Sequence, residues 1–302
     1  MRALVVDHSA PGRLAQAPVP DPAPGPDEVL VRVAAISLNY GELPKSDDDD
    51  STGTVPGWDA AGVVERPAAS GRGPKTGDRV VTWGWNAGWA ELRAVPVDEL
   101  AVLPDAVDLQ RAAALPVAGL TALRALRRAG VRPGHRVAIT GASGGVGRFA
   151  VQLARLAGAE VYALVGDPAR GEGLADLGAH HLITDSHDIG APIDILLDNV
   201  GGPLLADLLD HMAKDGVAIS IGATSGEPTA IRPYQLLANR ITLTGFQDSG
   251  NSAADLAYLV GLLADGRLQS PVDWTGDWSS VADAATALLS RRIRGKAVLT
   301  LS

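Results

Sequence analysis

The residues most able to do chemistry stand in one short stretch, Gly141-Ala142-Ser143-Gly144-Gly145-Val146-Gly147. Its glycines let the backbone turn tightly and approach a bound anion with no side chain in the way. Upstream, 137–140 is an apolar run of strand length. Downstream, Val146, Phe149, Ala150, Leu153, Ala154 and Ala157 recur at three- and four-residue spacing, one face of a helix that Gly158 ends. The next strand reads over 160–165. Strand, glycine turn, helix and strand together make the setting in which free N–H groups at the positive end of a helix hold a pyrophosphate. The fingerprint is irregular, since Ala142 stands at its first glycine. Ala142, Ser143, Gly144, Gly145, Val146 and Gly147 are the expected dinucleotide contacts. A turn that merely packs a helix on a sheet is the alternative, and the flanking elements favour the first reading.

Those elements extend into a larger pattern. Strands are expected at 136–140, 160–165, 180–184, 193–200, 216–222 and 240–246, with helices between them, as at 203–213. Such alternation predicts a doubly wound parallel sheet whose ligands lie beyond the strand C-termini. Asn199, Val200, Gly222, Ala223 and Phe246 fall at those ends. The end of the second strand decides between the two nicotinamide dinucleotides, because a carboxylate there takes the ribose hydroxyls of NAD and repels the phosphate of NADP. Here that position is Val165, followed by Gly166, and Arg170 offers a guanidinium suited to phosphate. NADPH is therefore the favoured cofactor, with Asp167 and Asp185 counting against it. The N-terminal third reads as β, with strands at 2–6 and 28–33 joined by a stiff proline-rich segment. Trp83, Trp85 and Trp89 read either as barrel core or as an aromatic wall for a flat substrate, with one of the three facing the cleft.

Composition narrows the function classes. With 302 residues the chain has room for two medium domains, and its net charge of −9 argues against nucleic-acid and anionic-membrane partners. It contains no cysteine, which removes disulfides, thiolate zinc sites, iron–sulfur clusters and a cysteine nucleophile. The six histidines form no metal set. Four consecutive aspartates at 47–50 read as a solvated loop at the mouth of the substrate cleft rather than a cation cage, which needs spaced ligands. No targeting or membrane-spanning segment is evident, so a cytoplasmic protein acting on a small molecule is expected.

The stretch GASGGVGRFAVQLAR, together with 55–64 and 112–122, resembles the medium-chain dehydrogenase/reductase superfamily, specifically its zinc-free quinone oxidoreductase branch. The resemblance implies a GroES-like β-barrel substrate domain at 1–111 and 249–302, and a Rossmann cofactor domain of six strands at 112–248. It implies that Asn39 lines the site, that Tyr40 is the nearby side chain able to donate a proton, solvent being the other source and loop packing the residue's other reading, and that Thr121 faces the cofactor, a plain helix cap being its other reading. Glu42, where many relatives have Asp, reads as structural or cap-like. Zinc-dependent relatives carry a cysteine ligand near Asn39 and a histidine ligand where this chain has Trp58, so no metal is expected. Relatives usually form homodimers through the cofactor domain. The implied function is hydride transfer from NADPH to a quinone or another activated double bond. The alternatives are an enoyl or alkenal reductase of the same superfamily and a cofactor-binding regulator or structural protein with little turnover.

Overall fold

The computed structural model describes residues 1–44, 51–248 and 250–301, so the acidic run at 47–50 lies outside the described residues. In chain order the elements begin with strands β1 (Arg2–Val6), β2 (Leu14–Pro18), β3 (Glu28–Leu38), β4 (Asp59–Arg66), β5 (Arg79–Trp83), β6 (Leu92–Pro96) and β7 (Leu100–Val102). Helices α1 (Leu109–Ala113) and α2 (Pro116–Arg128) follow. Then come β8 (Arg136–Ile139), α3 (Gly145–Leu156), β9 (Glu160–Leu164), β10 (His181–Ile183), β11 (Ile193–Asp198), α4 (Gly202–Asp210), β12 (Met212–Ser220), α5 (Pro233–Asn239) and β13 (Thr242–Gly245). The chain closes with α6 (Ala253–Ala264), β14 (Val272–Asp277), α7 (Val281–Leu289) and β15 (Lys296–Thr300). Two compact units result, Met1–Leu120 with Gly250–Ser302, and Thr121–Ser249. The division falls inside α2, later than position 112, because α1 packs on β3 and β4 of the first unit. Among the described residues no helix is long and apolar enough to cross a membrane.

The first unit is organised around β3. This strand of 11 residues pairs antiparallel with β6 along its first half, with β15 along its second, and with β4 throughout. The sheet order is β14-β15-β3-β4-β5-β7, with β6 on β3 and a separate β1-β2 hairpin. Bulges at Leu30/Val31 and Val33/Ala35 break the register of β3 against β4, which lets one strand serve two sets of neighbours. Leu4, Ile36, Leu38, Trp89, Trp278 and Leu299 form the core at one end. Val29, Val31, Val64, Val80 and Val95 form a second cluster at the other. Trp89 is fully buried and Trp83 nearly so, whereas Trp85 is half exposed. Core is therefore the role of two of the three clustered tryptophans.

The second unit holds six strands in the order β10-β9-β8-β11-β12-β13, every pair parallel. Numbered within the unit, that is 3-2-1-4-5-6, the doubly wound arrangement expected from the sequence. Helix α3 forms because Phe149, Ala150, Val151, Leu153 and Ala154 share a buried face, and fully burying Phe149 alone stabilises the unit by about 1.5–3 kcal/mol. Helix–strand alternation is less strict than expected. The β9–β10 connection carries only a 3-10 turn at Pro168–Gly171, and the β10–β11 connection only one at Ser186–Asp188. Gly171, Gly173 and Gly178 lie in the first of these, and each costs a helix about 1 kcal/mol relative to alanine. Strand β12 starts at Met212, earlier than expected, and β13 ends at Gly245.

Candidate active site

In the second unit the parallel sheet gathers the expected cofactor residues along one edge. Loops leaving the C-terminal ends of β8, β9, β11, β12 and β13 carry Ala142 to Gly147, Gly166 with Arg170, Asn199 with Val200, Gly222 with Ala223, and Phe246. Thr121 is placed differently, buried inside α2 rather than on a strand end. The N-terminus of α3 has Gly144 at its cap with no side chain closing it, so the first N–H groups of the helix keep their capacity to bind an anion. Gly147 is required by space: a Cβ there would lie 2.4 Å from the Gly141 carbonyl oxygen and 2.5 Å from the Ala142 Cα. Opposite this turn, Arg170 Nε donates to Ser143 Oγ at 3.1 Å. Asp167 accepts from the Ala169 N–H and so caps the 3-10 turn that presents Arg170, while Asp185 accepts from His187 N and Nδ1. Both carboxylates thus have local partners. A Cβ at Gly166 would meet nothing within 4 Å.

The β11 loop is held by Asp198, whose buried carboxyl accepts from Thr140 Oγ1 at 2.7 Å and from the Gly201 N–H at 2.9 Å. Burial pushes this acid above the usual carboxylate range, against the pull of those bonds. Asn199 in turn donates from Nδ2 to the Thr140 carbonyl at 2.8 Å. The residues present therefore fit a nicotinamide dinucleotide: an uncapped helix end and a glycine turn for the pyrophosphate, a tethered guanidinium for a phosphate, and rigid strand-end loops for the rest.

The first unit contains a cluster of charges that sequence reading did not assemble. The C-terminal end of β3, the start of β4 and the start of β15 adjoin, since Ser37 pairs with Asp59 and Leu38 with Ala297. Asp59 is fully buried and Lys296 is 2% exposed. Lys296 Nζ donates to the Leu38 carbonyl at 3.0 Å, to Asp59 Oδ2 at 3.1 Å and to Asn39 Oδ1. Asn39 Nδ2 donates to Asp59 Oδ2 at 2.9 Å and to Glu42 Oε1 at 2.8 Å. Carbonyl toward the ammonium and NH2 toward the carboxylates is the one amide orientation that satisfies all three partners. Glu42 also accepts from the Asn39 N–H at 2.7 Å on Oε1 and from the Trp58 N–H at 2.6 Å on Oε2. Burial and the nearby Asp59 charge push Glu42 up to about 8, with Lys296 and the hydrogen bonds opposing. The buried Arg93 guanidinium donates to the Gly57, Trp58 and Asn86 carbonyls and to Thr82 Oγ1. Burial brings it down to about 10.

Beside this cluster lies a cavity of about 740 Å³ lined by Gly41, Glu42, Leu43, Pro56, Trp58 and Trp85 among others. The indoles of Trp58 and Trp85 meet edge to face, their centroids 5.4 Å apart. The backbone that carries Trp58 depends on Gly57, whose φ is +111° and whose added Cβ would sit 2.4 Å from Trp89 Cδ1. Tyr40 and Asn39 do not line this cavity. The Asn39 amide is committed to Lys296, Asp59 and Glu42. The residues missed from sequence are Asp59, Arg93 and Lys296, together with the central position of Glu42. Only a carboxylate after Trp58 and a lysine opening the last strand pointed to them, and strand pairing alone joins the two.

Comparison with known proteins agrees with this architecture. Residues 25–105 match the alcohol dehydrogenase GroES-like domain and 145–264 match the family described as zinc-binding dehydrogenase. Among the described residues, no group of three or more His, Cys, Asp or Glu is placed to hold a metal ion. The solved structure of AibC superposes with a TM-score of 0.88 at 28% identity, covering 100% of this chain and 96% of that one. An acrylyl-CoA reductase, AcuI, of Ruegeria pomeroyi is 34% identical over 202 residues, 60% of this chain and 61% of that protein. A quinone oxidoreductase of Pseudomonas aeruginosa is 30% identical over 303 residues, 91% of this chain and 92% of its own length. Likeness of that extent, running through both units, shows that the chain belongs to the medium-chain dehydrogenase/reductase superfamily, in its quinone oxidoreductase-like branch.

Proposed function

We propose that this oxidoreductase works without zinc and uses NADPH to reduce a quinone or an α,β-unsaturated acceptor. The observation that carries the reading is the uncapped end of α3 beside a guanidinium tethered to Ser143, at a second-strand end that has no carboxylate. When bound, the nicotinamide supplies a hydride. The chain's own residues bind and orient. The N–H groups at 145–147 take the pyrophosphate, Arg170 takes the ribose phosphate, and the loops at 199–200, 222–223 and 246 flank the ring. Thr121 contributes from α2. In the first unit, Trp58 and Trp85 wall a cavity whose described lining carries no basic side chain, which favours a flat, uncharged acceptor. Asn39 acts as a positioning residue, holding Glu42 and Lys296 in register.

Reduction of an enoyl thioester is the second reading, favoured by the acrylyl-CoA reductase relative. The assay is nucleotide oxidation, NADPH against NADH, with a panel of quinones, enones and enoyl thioesters. Turnover with NADPH and quinones supports the first reading, and turnover confined to thioesters supports the second. Tight nucleotide binding with no acceptor reduced would make the protein a binder. A homodimer is part of the same proposal. It is supported by β13 at the end of the sheet and by the exposure of Tyr234 (76%) and Leu237 (72%) on α5, and light scattering at known concentration tests it.

A further inference from the structure

Glu42 is the one ionisable side chain among the described residues lining the cavity walled by Trp58 and Trp85. It shares its surroundings with a second carboxylate, Asp59, and one ammonium cannot serve both. Lysine has three N–H donors, and those of Lys296 go to Leu38, Asn39 and Asp59. Among the described residues Glu42 is left with neutral donors, two on Oε1 and one on Oε2. Oε2 therefore retains the site at which a proton can be held. Of two acids in one cluster with unequal access to the cation, the one left without the ammonium, Glu42, is the one whose neutral form is favoured.

We propose that Glu42 is the proton donor of the reaction, delivering the Oε2 proton to the acceptor in this cavity. The assignment rests on the reductase reading above. In the balance, the acceptor gains two electrons and one hydrogen as hydride from the reduced nicotinamide. It gains a proton from Glu42, whose O–H bond breaks as the new bond to the acceptor's oxygen or carbon forms. Glu42 is left as a carboxylate and regains its proton from water entering the cavity that it lines. The charges that bear on it come from every strand around it. Asp59 on β4 favours the neutral form, while Lys296 on β15 and the Asn39 and Trp58 donors favour the ionised one. Arg93 on β6 lies in the same charge cluster but makes its hydrogen bonds to carbonyls and to Thr82. Burial adds to Asp59, and the balance puts the midpoint at about 8, where a donor working near neutrality belongs.

Infrared titration of the protein alone should show a protonated-carboxyl stretch that disappears with a midpoint near 8 in the wild type and is missing from E42Q. In turnover, kcat of the wild type should fall above that pH. E42Q should lose about 10²-fold in kcat with KM little changed and with that pH dependence gone. E42D, which keeps a carboxyl, should recover part of the rate. Circular dichroism checks that each variant is folded, and the wild-type titration needs no variant to fold. A Glu42 already ionised at neutral pH overturns the proposal whatever the activity, as does an E42Q enzyme with wild-type kcat and pH profile. A wild type that reduces no acceptor, with the infrared band present, instead overturns the reductase reading and takes the donor role with it.

Discussion

Lys296 offers the sharpest test of how the first unit is held together. Its side chain is 3% exposed and that of Asp59 is 0% exposed, so neither charge has water to fall back on. K296M keeps the aliphatic stem and removes the ammonium, leaving the Asp59 carboxylate, among the described residues, with the hydrogen bonds of Asn39 Nδ2 and the Val117 N–H, both at 2.9 Å. Breaking a buried pair by deleting one partner costs about 3–5 kcal/mol, because the survivor stays buried and uncompensated. D59N alone should cost a similar amount by stranding Lys296. The double variant D59N/K296M removes both charges and should be less destabilised than the sum by up to about 3 kcal/mol, the coupling typical of one hydrogen-bonded network. Urea unfolding followed by tryptophan fluorescence suits the measurement. All six tryptophans, at 58, 83, 85, 89, 274 and 278, lie in the first unit, so the signal reports that unit alone. A K296M cost below about 1 kcal/mol, or strict additivity in the double variant, would refute the view that these charges hold each other in place.

Glu42 should also mark stability. Its folded value of about 8 lies above the ordinary 4.5, so the native state binds that proton more tightly. The stabilisation is complete below 4.5 and is lost as pH climbs to about 8, by up to about 1.4 kcal/mol per pH unit. E42Q should remove that part of the slope, and equal slopes in the two proteins would contradict the assignment. G147A pushes a methyl to 2.4 Å from the Gly141 carbonyl oxygen. It should cost about 1–3 kcal/mol and weaken nucleotide binding at least tenfold by calorimetry, whereas wild-type behaviour in both would mean the turn has slack. R170A should lower NADPH affinity about tenfold or more and leave NADH affinity unchanged, as loss of one charged hydrogen bond requires. A parallel loss of both nucleotides would place the guanidinium elsewhere than the ribose phosphate.

The cofactor half was legible because its signals are local. A strand, a glycine turn and an apolar helix face lie within about thirty consecutive residues, and the spacing that makes the turn also makes the site. Strand alternation likewise implied a parallel, doubly wound sheet, while its order, β10-β9-β8-β11-β12-β13, was decided by the tertiary structure. Periodicity overstated the helices after β9 and β10, where glycines and short 3-10 turns connect the strands instead. Tryptophan spacing alone could not say that Trp85 faces a cavity while Trp89 is core, since that depends on which side of a barrel each strand end presents. The charge cluster was hidden for a deeper reason. Asn39, Asp59 and Lys296 are separated by 20 and 237 residues and meet only because β3 pairs with both β4 and β15. From the sequence, Glu42 could be read as a cap, and it does accept backbone N–H groups from Asn39 and Trp58. That it also lines a cavity, beside a carboxylate that takes the Lys296 ammonium, is decided by strand pairing and burial, because desolvation and neighbouring charge set an acid's proton affinity and neither exists before the chain folds.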